Sequence, residues 1–127
     1  MATLRGLTFD TGALIALERR KVGMRLIWRA ALHARVEITI PTVVLVEWWR
    51  GKGGNEGPTS SVLASVTVEP LDERLAKRAC ELLGQARAAS AVDAVVVASA
   101  EQRGDVIYTG DLDDLRALAR GARGVRV

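Results

Sequence analysis

Short β-like runs alternate with amphipathic helical ones along this chain, and few architectures other than layered α/β accept that alternation. Residues 6–9, ending in Phe9, read as a first buried strand, with a helix from Thr11 to Glu18 starting directly at its end. A second helix spans about 21–34: Met24, Ile27, Trp28 and Ala31 form its inward stripe, and Lys21, Arg25, Arg29 and His33 a basic outer one. VEITI at 36–40 alternates like a strand, and Pro41 is placed to open the helix that carries Glu47. GKGGNEGPTSS then breaks all periodicity and reads as a loop. A short strand around 66–69 precedes a helix from Asp72, with Leu75, Ala79, Leu82, Leu83 and Ala86 inward and Glu73–Lys77 and Lys77–Glu81 pairs outward. Residues 92–103 make another helix, DVIYT a further strand, 112–120 a last helix, and GVRV closes an edge.

The length of 127 residues suits one domain able to bury a core without staples. One cysteine, Cys80, excludes an internal disulfide framework and fits a reducing, cytoplasmic setting. The apolar start is interrupted by Asp10 and lacks the small-residue pattern of a cleavable signal, and no other run approaches membrane-spanning length. The net charge is +3, with Lys21, Lys52 and Lys77 the only lysines, so arginine supplies most of the positive charge. Its planar fork suits phosphate oxygens, which makes a nucleic-acid partner compatible with the chain without requiring one.

The stretch VVLVEWWRG sets Glu47 among aliphatic residues and two tryptophans, where an unpaired, fully dried charge would cost several kcal/mol, roughly. Pairing with Arg50 on the surface, worth at most ~1 kcal/mol, is one explanation; a wet acidic cleft around a cation is the other. Asp10 directly follows the first strand and Asp111 follows DVIYT by two residues, so both belong at carboxyl ends of strands, where open sheets bind ligands. Asp93 starts a helix on the face of Val96, Val97 and Ala100, and Glu47 shares a face with Val43 and Val44. Asp10 and Asp111 are also good helix N-caps, and Ser90 to Asp93 has capping-box spacing. Caps leave Glu47 unexplained. Four carboxylates meeting at one edge would repel unless neutralised, and the hard, oxygen-seeking Mg²⁺ or Mn²⁺ is their natural partner.

FDTGALIAL, IPTVVLVEWWRG, AVDAVVVASA and VIYTGDLDDL resemble, in order and spacing, the motifs of PIN-domain ribonucleases, particularly the VapC toxins of bacterial toxin–antitoxin pairs. The resemblance covers essentially the whole chain. It implies a three-layer α/β/α sandwich around a parallel sheet of order 3-2-1-4-5. Carried over residue by residue, the acidic quartet becomes Asp10, Glu47, Asp93 and Asp111, with Asp114 and the Thr109 hydroxyl around the same pocket. Gly12 departs from the small polar residue frequent at that position, and Leu115 from an aromatic.

The resulting expectation is a metal-dependent endoribonuclease in which Asp10 and Asp93 ligate Mg²⁺ directly, while Glu47 and Asp111 act through water or hold a second ion. Arg25, Arg29 and Thr109 are candidates for holding RNA. The resemblance further implies 5′-phosphate and 3′-hydroxyl products, a homodimer, and an antitoxin that lays a segment across the cleft. Trp48 and Trp49 read as core or dimer packing. The rivals are a PIN-like module without catalysis, serving RNA binding or protein interaction, and a phosphoacceptor receiver domain. The receiver needs paired acids after the first strand and a late lysine; here Asp10 stands alone and the last lysine is Lys77.

Overall fold

The structure, a computed structural model, describes residues 5–49, 61–86, 89–109, 112–122 and 126, with the backbone alone for 112–115. Four parallel strands, β1 (Leu7–Phe9), β2 (Ile38–Pro41), β3 (Thr67–Glu69) and β4 (Val106–Tyr108), make a sheet of order β3-β2-β1-β4. Among the described residues six helices accompany them: α1 (Thr11–Glu18), α2 (Val22–His33), α3 (Thr42–Trp49), α4 (Glu73–Gln85), α5 (Ala91–Arg103) and α6 (Leu112–Ala119). Residues 61–64 add one helical turn. The expected sandwich is thus present with order 3-2-1-4 among the described residues, and where the fifth strand is expected Arg126 forms a parallel bridge with Val106, its carbonyl accepting from the Ile107 amide at 2.7 Å.

Side-chain alternation gives the two faces of the sheet different chemistry. Phe9, Ile38 and Ile40 point one way, and Phe9 meets Trp28 of α2 with ring centroids 6.3 Å apart and Tyr108 edge-on at 6.1 Å. Thr8 and Thr39, paired in register, point the other way under α5 and are almost fully buried. Helix α5 is the central helix of the molecule: Ala94 through Ala100 are all buried, and it contacts β1, β2, β4, α3, α4 and α6.

The polar face is closed by a network absent from the sequence reading. Arg103, at the last turn of α5, donates to Asp105, Glu69, Thr8 and Ser99; Thr8 donates to Asp105 at 2.8 Å and Ser99 to Glu69 at 2.7 Å. A buried carboxylate such as Asp105 is tolerable only when paired and hydrogen-bonded in this way. Gly6 makes room for it, since a Cβ there would lie 2.6 Å from Asp105 Oδ1. Gly104, at φ +70°, ends α5 in the left-handed conformation that glycine adopts without steric cost.

Two local expectations change. Pro41 does not open α3 but ends β2, in register with Glu69 of β3, and the helix starts one residue later. Glu81 pairs with Arg78 at 2.8 Å rather than with Lys77, because Arg78 also donates to Glu101 and to the Gly121 carbonyl and so ties α4 to α5 and the end of α6. Hydrogen bonds to Glu101 first, and then Glu81, raise the Arg78 pKa above its already high ordinary value. Glu73 and Lys77 do pair, at 2.8 Å. Of the segment 51–61, read as a loop, residues 51–60 lie outside the described residues and Ser61 falls in the helical turn 61–64. No helix among the described residues is long and apolar enough to cross a membrane.

Candidate active site

Asp10 leaves the end of β1 and enters α1, and its side chain belongs to both. Its Oδ1 accepts from the Ala13 amide at 2.8 Å, capping the helix, while its Oδ2 accepts from the Thr109 hydroxyl. Its own amide donates to the Tyr108 carbonyl at 3.3 Å, joining the ends of β1 and β4. The residue is buried. Cap and site residue are therefore compatible roles: hydrogen bonds to both carboxylate oxygens orient the group. One residue on, the Thr11 hydroxyl oxygen is buried without a hydrogen-bond partner among the described residues, an arrangement uncommon in folded proteins.

The topology puts Glu47 and Asp93 toward the same edge of the sheet. Helix α3 leaves the carboxyl end of β2, contacts both α1 and α5, and carries Glu47 half-buried. No hydrogen bond or ion pair among the described residues engages Glu47; Arg50, its alternative partner, lies outside them. Trp48, next to it, is buried in the core and donates from Nε1 to Glu18 of α1 at 2.9 Å, fixing α3 against α1, with Trp49 edge-on to it. Both tryptophans are thus packing residues. Helix α5 has its last turn beside Thr8 and Asp105 and leads directly into β4, so its first turn, with Asp93, lies toward the opposite, carboxyl edge. The Asp93 amide donates to the Ser90 side chain at 3.1 Å, the cap that the spacing predicts. The Asp93 residue is half-buried.

Asp111 lies outside the described residues, as does the side chain of Asp114 on α6. Among the described residues, no group of three or more His, Cys, Asp or Glu is placed to hold a metal ion. Among the described residues, Asp10 and Thr109 are in direct contact. Arg25 and Arg29 stand exposed on α2, with His33 on the same outer stripe.

A family model described as PIN domain matches residues 7–121. Among solved structures, a toxin–antitoxin complex from Klebsiella pneumoniae shares 22% identity over 96% of this chain and 97% of that one, with a TM-score of 0.73. The sarcin-ricin-loop-cleaving toxin VapC20 of Mycobacterium tuberculosis shares 23% identity over 96% of this chain and all of that one, at 0.67. DNA-bound VapBC from Salmonella typhimurium shares 16%, covering 97% and 96%, at 0.73. No curated protein sequence matches the chain.

Proposed function

Because the chain belongs to the PIN-domain family, we propose that it is the toxin of a toxin–antitoxin pair and a divalent-metal-dependent endoribonuclease. The observation that carries the reading is the state of Asp10: a buried carboxylate at a strand end, oriented through both oxygens by Ala13 and Thr109. The structural likeness to VapC and VapBC proteins supports the toxin assignment and an antitoxin partner. A homodimer belongs to the same reading.

The donor set fits a hard cation. Asp10, Glu47, Asp93 and Asp111 offer oxygen only, with Asp114 beyond them, and the chain has no histidine other than His33. The Thr11 hydroxyl, buried without a hydrogen-bond partner among the described residues, suits a hydrated ion whose water can supply one. Mg²⁺ or Mn²⁺, when bound, supplies an activated water and neutralises charge on the scissile phosphate. In this reading Asp10 and Asp93 hold the ion, Glu47 and Asp111 complete the site, Thr109 keeps Asp10 in place, and no side chain serves as nucleophile.

The test is incubation of the purified protein with total cellular RNA, with and without a chelator, followed by mapping of new ends. Chelator-sensitive internal cuts with 5′-phosphates are expected. Intact RNA at saturating Mg²⁺ and Mn²⁺ would favour a non-catalytic binding module instead.

A further inference from the structure

Asp10 and Glu47 are held in place by different means. The Asp10 carboxylate is fixed at both oxygens, by the Ala13 amide and the Thr109 hydroxyl. Glu47 has no hydrogen bond or ion pair among the described residues, so its place follows from where α3 lies and how that helix is turned about its axis. The turn is readable from burial. Val44 and Trp48, four residues apart, are 0% and 3% exposed, Val46 is 74% exposed, and Glu47 is half-buried. Successive residues stand about 100° apart round a helix, so Glu47 sits on the boundary between core and solvent, where a small rotation of α3 carries its side chain to one side or the other.

At its last turn α3 is pinned by a side-chain hydrogen bond. Trp48 donates from Nε1 to Oε2 of Glu18 at 2.9 Å, and Glu18 ends α1, the helix that Asp10 caps. Helices α1 and α3 pack against each other. The eight residues of α1, about 12 Å of rigid rod, therefore join the Asp10 carboxylate to the point where α3 is held. Burial of Val44 and Trp48 fixes how deep α3 sits, because apolar burial has no preferred direction. The N–H to carboxylate bond adds what burial lacks: it is directional, and stronger than a bond between neutral groups. A buried indole N–H left without an acceptor is unfavourable, so the pair selects one rotation of the helix.

We propose that Glu18 is a positioning residue of the nuclease site: through Trp48 it sets the rotation of α3 and so holds Glu47 where an ion bound by Asp10 can use it. The proposal rests on the metal-dependent reading above for the ion, and on the bond between Glu18 and Trp48 for the residue and its role.

Titration of the purified protein with Mn²⁺, read by electron paramagnetic resonance of the free ion and with no RNA present, tests it. Trp48→Phe removes the donor and Glu18→Leu the acceptor, whereas Glu18→Gln keeps an acceptor oxygen. Each removal should weaken Mn²⁺ binding about tenfold, the low end of the range for groups that orient a metal ligand, and Glu18→Gln should stay within about threefold of wild type. In a Glu47→Gln background Glu18→Leu should cost nothing more, since Glu47 is the group it acts through. Circular dichroism checks the fold of each variant, and Glu18→Leu, a half-buried change at a helix end, carries the test if Trp48→Phe does not fold. Glu18→Leu with Mn²⁺ affinity within about twofold of wild type overturns the proposal and leaves the nuclease reading standing. So does wild-type affinity in Glu47→Gln alone, or an undiminished effect of Glu18→Leu in that background. Binding lost as deeply in Glu18→Gln as in Glu18→Leu would assign the effect to the charge of Glu18 and overturns it too. A wild-type chain that binds no Mn²⁺ sinks the metal-dependent reading and the proposal together.

Discussion

Thr109, just past the end of β4, gives its hydroxyl hydrogen to Oδ2 of Asp10, just past the end of β1. The two residues are 99 apart in sequence and meet because β1 and β4 are parallel neighbours. The bond holds the carboxylate from the side opposite the helix cap, so Asp10 is fixed by tertiary structure at one oxygen and by local structure at the other.

Replacing Thr109 with valine keeps the shape and removes the donor. Cleavage should fall about tenfold to a hundredfold, the range found when a ligand's supporting hydrogen bond is lost, and Thr109→Ser should recover most of it. Rates from a labelled RNA would decide; equal activity in the valine variant would make the bond structural only.

Asp10→Asn separates the two roles of that side chain. Asparagine is as good an N-cap as aspartate, and its amide can donate to Thr109 where the carboxylate accepted. The variant should therefore melt within a few degrees of wild type, roughly, yet show no chelator-sensitive cleavage. Cleavage at the wild-type rate would reduce Asp10 to a cap.

For Asp93, the cap bond to Ser90 runs through the backbone amide, so Asp93→Asn leaves it in place. The folded variant, checked by circular dichroism, should lose metal-dependent cleavage. Full residual activity would refute its assignment as a ligand.

Arg103→Met tests the network under α5. It leaves the buried Asp105 and the half-buried Glu69 without their cation, and stranding a buried carboxylate in this way should cost about 3 kcal/mol. Urea unfolding measures the loss. A change below about 1 kcal/mol would mean that solvent screens the cluster as it screens a surface pair.

The helical periodicity of α2 and α4, the caps at Asp10 and Ser90, and the strand–helix alternation are local signals, and they were legible because each depends on residues within a turn or two of one another. The same locality explains the misplaced start of α3. A proline satisfies the first position of a helix and the last of a strand alike, and only the pairing of β2 with β3 chose between them. The pairing of Glu81 was likewise settled by Arg78 lying beside Glu101 of another helix.

By itself, then, the amino-acid order determined the layered class of the fold, the inward stripes of its helices and the acids standing at element junctions, because these follow from spacing and from the chemistry of single residues. Tertiary structure alone decided that Asp10 meets Thr109 and that α5 covers a polar sheet face clasped by Arg103. It also decided that Val22, Leu26 and Leu32 share the outer face of α2 with its arginines without cover. Such contacts depend on which elements become neighbours in space, and that is set by the packing of the whole core rather than by any stretch of chain.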